Sequence, residues 1–212
     1  MKLFICKEEN PNETRIAVLP DAVKKLVALG AEVSVEETLG SPLGIDDSAY
    51  TDAGATIAPA SAKSEADLVL RLGTPSGPDG LQSGAIHISY LDPFIETDNI
   101  KAFAEANISA ISMEMIPRTT IAQKMDALSS QASLAGYSAV IQAAAKLPKS
   151  LPMMMTPAGT LSPCKVFIIG AGVAGLQAIA TAKRLGARVE AFDTRPAVKE
   201  QVESLGGKFL EI

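Results

Sequence analysis

A strand-like run, three spaced glycines, a helix of small residues and a second strand ending on an acid leave a chain few choices of fold. They stand in that order in "KVFIIGAGVAGLQAIATAKRLGARVEAFDTRP", residues 165–196. "KVFIIG" reads as a short strand carrying β-branched Val166, Ile168 and Ile169. Gly170, Gly172 and Gly175 then fit G-x-G-x-x-G. In that pattern the first glycine permits the tight turn into the helix and the second keeps side chains away from a pyrophosphate. The third lets helix and strand pack closely. The helix that opens there directs its N–H groups and positive dipole end at the phosphates. Val173 and Ala174, inside the turn, are therefore candidate cofactor contacts with the glycines. "RVEAF" follows as a second strand, and Asp193 falls about 18 residues beyond Gly175, where a carboxylate meets the adenosine ribose. Such an acid accepts from both ribose hydroxyls and repels a 2′-phosphate, which favours NAD over NADP. Thr194 and Arg195 adjoin it, and Arg195 offers a 2′-phosphate a partner. The alternative is a glycine-rich turn that holds no ligand.

The chain before this stretch alternates strand-like and helix-like segments. "KLFIC" (residues 2–6), "EVSVEE", "ADLVLRLG", "AIHISYL" and "ISAISMEM" read as strands. "LPDAVKKLVALGA" (19–31), "DDSAYTDAG" and "TDNIKAFAEAN" read as helices, the first closed by Gly30. Strand, helix, strand in succession implies right-handed crossovers and a parallel sheet. The expected class is thus α/β, with two parallel-sheet domains, the second a truncated Rossmann dinucleotide-binding domain. An N-terminal α/β domain spans 1–125, a connecting helix and proline-rich linker 126–163, and the start of the Rossmann domain 164–212. "DALSSQASLAGYSAVIQAAAKL" is the helix of that connector, and "PKSLPMMMTPAGTLSP", with four prolines, is the linker. Met153–Met155 within it reads as a loop packed on its own domain, with a partner-docking surface as the alternative. "KFLEI" opens a third strand, so the second domain is expected to lack its nicotinamide-side half. A fragment of that kind would hold NADH weakly and dimerise or aggregate through its open sheet edge.

Charge and cysteine usage remove several function classes. Nineteen Lys+Arg against 24 Asp+Glu give a net charge of −5, with no basic run, so nucleic acid is not an expected partner. The apolar run Leu3 to Cys6 is too short for a signal peptide, and no stretch reaches the roughly 20 apolar residues of a membrane span. Cys6 and Cys164 form no C-x-x-C, which predicts two free thiols and no metal site, in a soluble intracellular protein.

Two segments carry a resemblance. "IPRTTIAQKMDALSSQASLAGYSAV" (116–140) and "GAGVAGLQAIATAKRLGARVEAFDTRPAVKEQVESLGGKFLEI" closely resemble the alanine dehydrogenase/transhydrogenase family. Within it they are most similar to domain I, the NAD(H)-binding component, of proton-translocating NAD(P) transhydrogenase α subunits. The likeness extends from "ENPNETRIAVLP" onward. It implies that Gln123 orients the nicotinamide ring, while Arg118 and Asp126 hold ribose and carboxamide, making these three the catalytic set. Thr119, Thr120, Lys124, Met125 and Ser129 complete the implied cofactor-binding loop. It further implies NADP(H) on a partner domain, a membrane proton-channel subunit, a homodimer, and a peripheral place at the cytoplasmic face of the inner membrane. From the residues alone, that loop reads as an ordinary helix N-terminus with a polar face.

An alanine-dehydrogenase-like activity is the competing expectation, and it needs acid/base groups. The resemblance places that branch's lysine at Arg71, a poor proton shuttle, and its histidine at Asp92; its substrate-binding arginine is matched by Arg15. His87, the single histidine, lies inside an alternating strand and reads as a packed side chain. A third reading is a non-catalytic NAD-binding fragment. Hydride exchange between two nicotinamides needs no proton transfer at the reacting carbons, only alignment and exclusion of water. That demand suits a chain with a dinucleotide fingerprint and no nucleophile or base cluster.

Overall fold

The computed structural model describes residues 1–78 and 80–211, which fall into two compact units, Met1–Met125 and Asp126 onward. In the first, the alternation of strands and helices becomes β1 (Lys2–Ile5), α1 (Pro20–Ala28), β2 (Glu32–Glu36), α2 (Asp47–Asp52) and β3 (Thr56–Ala58). β4 (Leu68–Leu70), β5 (Ile86–Ser89), α3 (Thr97–Glu105) and β6 (Ser109–Ser112) follow. All six strands are parallel, in the order β3-β2-β1-β4-β5-β6. That order reverses direction between β1 and β4, as in doubly wound nucleotide-binding sheets, where ligands sit outside the carboxyl ends of the strands. The Rossmann-type order thus occurs in the unit without the glycine fingerprint, which the sequence did not reveal.

The period of two explains the two faces of this sheet. Leu3, Ile5, Val33, Val35 and Leu68 meet Val23 of α1 and Tyr50 of α2 on one side. Phe4, Cys6 and Val69 pack with Ala66 on the other. Burying side chains of this size stabilises by about 1.5–3 kcal/mol each before the ordering entropy is set against it. Tyr50 is completely buried, and its hydroxyl keeps a partner by donating to the Val18 carbonyl at 3.1 Å. Pro20 starts α1, where its missing N–H costs nothing, and Gly30 at φ +86° lets the chain leave it.

The second unit holds α4 (Ala127–Lys146), β7 (Met154–Thr156), β8 (Gly159–Leu161), β9 (Lys165–Ile169), α5 (Val173–Arg184), β10 (Arg188–Phe192), α6 (Lys199–Ser204) and β11 (Lys208–Phe209). Its parallel sheet runs β11-β10-β9, with Val189 beside Val166 and Ala191 beside Phe209. Ile179 and Ala182 of α5, Val189 and Ala191 of β10, and Val202 of α6 form its core, and Val140 brings α4 onto it.

Two elements depart from expectation. β3 is three residues long and stops just before Pro59, too short for any period to show. The proline-rich stretch 148–163 contains the antiparallel hairpin β7–β8 instead of running as a plain linker. Pro157 and Ala158 make its two-residue turn, and Gly159 takes φ +133°. Met155 is 82% exposed there, so the methionine run is not packed away as a loop on its own unit.

Candidate functional site

The glycine turn is built by close backbone approach. A Cβ on Gly175 would lie 1.8 Å from the Gly170 carbonyl oxygen, so α5 rests directly on the turn that leaves β9. Gly170 itself sits at φ +91°, a conformation that favours glycine. Gly136 of α4 repeats the device one layer out, since its Cβ would meet the Ala174 carbonyl at 2.1 Å. Gly172, the N-cap of α5, behaves differently: a Cβ there meets nothing within 4 Å. The space in front of the helix N-terminus is therefore open, beside the N–H groups of Val173, Ala174 and Gly175 that begin the helix. These residues fit a pyrophosphate: one glycine packed, one exposed, and a dipole end between them.

Asp193 is tied into the same turn. Its Oδ2 accepts from Ala171 N–H at 2.7 Å, and its Oδ1 accepts from Arg195 N–H at 2.8 Å. The Arg195 guanidinium adds two more bonds, Nε to Oδ1 and one terminal nitrogen to Oδ2, both at 3.0 Å. The hydrogen bonds from Arg195, then from Ala171, hold this carboxyl far below the usual carboxylate range. Arg195, which the sequence offered to a 2′-phosphate, is here engaged with Asp193. Thr194 is exposed between them. A groove of about 340 Å³ opens alongside, lined by Phe192, Pro196, Phe209 and Leu210 and by the charged Lys199 and Glu211.

The loop read as nicotinamide-binding lies at the end of the first unit. Arg118, Thr119, Thr120, Gln123, Lys124 and Met125 are all exposed, held by a short turn in which Gln123 N–H donates to the Thr119 carbonyl at 3.0 Å. Asp126 and Ser129 open the second unit. Both carboxylate oxygens of Asp126 accept from Ser129, Oδ1 from N–H at 2.9 Å and Oδ2 from the hydroxyl at 2.6 Å. This makes Asp126 the N-cap of α4, a structural role beside the one implied for it.

Three acids that the sequence did not single out organise the carboxyl ends of the first sheet. Glu8 accepts from Leu72 and Gly73 N–H groups, each at 2.8 Å. Glu9 accepts from Ser76 N–H at 3.1 Å and pairs with Arg71. Glu114 accepts from Leu91 and Asp92, where Asp92 stands at φ +43°. Arg71 is largely buried and paired with Glu9, and so is a fixed cation partnered within the chain. His87 is 2% exposed, its Nε2 3.0 Å from Ser89 Oγ and its ring 5.2 Å from that of Phe103. Burial, and then the charge of Arg71, lowers its pKa to about 4.

Residues 4–135 match the alanine dehydrogenase/PNT N-terminal domain and residues 139–212 the corresponding C-terminal domain. The first part of the NAD(P) transhydrogenase subunit alpha of Rhodospirillum rubrum is 49% identical over all of this chain, which covers 58% of that protein. Alanine dehydrogenase 2 of Staphylococcus aureus is 30% identical over 98% of the chain, which covers 57% of it. Among solved structures, transhydrogenase from Sinorhizobium meliloti superposes with a TM-score of 0.96 at 51% identity, covering all of this chain and 64% of its own. The chain thus spans a little over half the length of these two curated relatives.

Proposed function

The chain belongs to the alanine dehydrogenase/PNT family, and from that premise we propose that it is the NAD(H)-binding component of a proton-translocating transhydrogenase. The observation that carries this reading is the glycine turn: Gly175 seated on the Gly170 carbonyl, with Gly172 facing open space. The greater identity to a transhydrogenase subunit than to an alanine dehydrogenase favours the branch. The proposed partners are an NADP(H)-binding domain, a membrane proton-channel subunit and a second copy of the chain. No helix among the described residues is long and apolar enough to cross a membrane, so a peripheral place at the cytoplasmic face of the inner membrane rests on those partners.

The bound nicotinamide supplies the hydride chemistry, and the chain supplies position. The turn 170–175 fixes the pyrophosphate through backbone N–H groups, and Asp193 addresses the adenosine ribose. Arg118, Gln123 and Asp126 are proposed to orient the nicotinamide end, with Thr119, Thr120, Lys124, Met125 and Ser129 shaping that side. Holding two rings at contact distance and excluding water are the whole of the demand, because no proton moves at the reacting carbons. Gln123→Asn is therefore expected to leave NADH affinity nearly unchanged and to slow hydride transfer to an NADP analogue in a complex reconstituted with the NADP(H)-binding domain. Unchanged transfer with that domain saturating would remove Gln123 from the role.

Calorimetric titration tests the binding half of the proposal. NADH is expected to bind at least about tenfold more tightly than NADPH, on the order of 1.4 kcal/mol, because a 2′-phosphate meets the Asp193 carboxylate. Equal affinities would contradict the assignment. An alanine-dehydrogenase-like activity is the second reading, and the Glu9–Arg71 pair weighs against it: the cation is already partnered and is no proton shuttle. NADH oxidation with pyruvate and ammonia would support that reading instead.

A further inference from the structure

Arg195 covers the group that a ribose has to reach. The Asp193 side chain is 6% exposed while that of Arg195 is 61% exposed, so the guanidinium lies over the carboxylate from the solvent side. Four hydrogen bonds fill the carboxylate, which offers about four acceptor positions. Two come from backbone N–H groups of Ala171 and Arg195, which belong to the fold of the turn. The other two come from one edge of the guanidinium, at Nε and a terminal nitrogen. That edge presents two parallel donors, and so does the vicinal diol of a ribose. The side chain and the diol want the same two lone pairs.

We infer that Arg195 is a specificity-determining latch: its guanidinium stands in for the ribose diol on Asp193 and must leave before an adenosine ribose can bind there. The inference rests on the nucleotide-binding reading above and adds a competition inside the chain. Displacement leaves the two backbone bonds intact, so Asp193 keeps its orientation while its outer lone pairs pass from guanidinium to diol. A ribose bearing a 2′-phosphate has lost one of the two donors and cannot replace the guanidinium in kind. The released cation, however, can meet that phosphate. Arg195 thus weakens binding of the plain ribose and narrows the margin against the phosphorylated one.

The test uses the whole chain with ADP-ribose and its 2′-phosphorylated form as probes, by isothermal calorimetry, after thermal melts show each variant folded. Arg195→Ala is expected to bind ADP-ribose roughly three- to fivefold more tightly than the parent, the scale of an exposed but bidentate ion pair. Binding of the 2′-phosphorylated probe should weaken or stay level, so the ratio between probes widens. Because salt screens the pair, the gain on ADP-ribose should shrink towards onefold at ~1 M NaCl, where the Debye length is about 3 Å. Arg195→Lys, a single mobile donor group in place of a planar pair, should fall between parent and alanine variant. Unchanged or weaker ADP-ribose binding by Arg195→Ala, with the parent binding measurably, overturns the latch and leaves the nucleotide reading standing. Binding by neither parent nor variants overturns both.

Discussion

Gly175→Ala is expected to destabilise the second unit by about 3 kcal/mol or more, at the upper end of overpacking effects, and to abolish nucleotide binding with it. The added methyl would stand 1.8 Å from the Gly170 carbonyl oxygen, and the obstacle is backbone, so no rotamer relieves it. Either α5 lifts from β9, opening the core around Ile179 and Ala182, or the turn at Gly170 is pushed out of shape. Gly172→Ala is the contrasting substitution three positions away. Its Cβ enters open space at an ordinary negative φ of −78°, so stability should stay within about 1 kcal/mol of the parent. Nucleotide affinity should nevertheless fall sharply, because that space is where the phosphates are proposed to approach the backbone. Urea unfolding paired with NADH titration separates the two. Equal stability for both variants would show that the packing account of Gly175 is wrong, and unimpaired binding by Gly172→Ala would move the phosphates elsewhere.

Acid should weaken the first unit earlier than its carboxylates alone would allow. His87 has an ordinary pKa of 6.5 when unfolded and about 4 in place, because burial and then the Arg71 charge oppose protonation. Between these values the unfolded chain binds the extra proton, so stability is complete above pH 6.5 and drains away as pH falls towards 4. The shift corresponds to on the order of 3 kcal/mol over that window. Glu9 acts in the opposite sense and Lys63 adds to the effect of Arg71, so the charged groups around the ring leave a net opposition to protonation. His87→Gln, which keeps a donor for Ser89 and cannot titrate, should flatten the pH dependence between 6.5 and 4.5. As the sequence has one histidine, its ring signal in proton NMR reports directly. A midpoint near 6.5 in the folded chain would end this account.

Legibility varied with the kind of interaction. β1, β2, β4, β5 and the helices α1 and α3 were readable because apolar spacing and glycine or proline stops coincide in them. The glycine turn was readable because its spacing encodes a backbone contact directly, and the 1.8 Å approach at Gly175 is that contact. The β7–β8 hairpin was not, since its prolines signal a break in structure and its two strands of three residues carry no period. Glu8, Glu9 and Glu114 were invisible for another reason. Glu8 and Glu9 of "CKEEN" bond to backbone N–H groups some 64 to 67 residues away, which no local pattern announces. Arg195 shows the limit within the site itself. The sequence placed a cation near the ribose carboxylate but could not tell whether a ligand or the carboxylate would take it. In the fold, the carboxylate does.

The order β3-β2-β1-β4-β5-β6 has a further consequence for how such a chain is made. A polypeptide leaving the ribosome amino end first presents β1, then β2 beside it in the register Leu3 to Val33, then β3 beyond β2. β4 next arrives at the other flank of β1, and β5 and β6 follow outwards. Every strand reaches an edge that already exists, and none has to be inserted between two strands waiting for it. The slow step of parallel sheets, closing long loops before pairing rewards them, is thereby divided into short stages taken in the order of synthesis. The oldest strand becomes the middle of the sheet, an order that lets growth of the nascent chain and growth of the sheet proceed together.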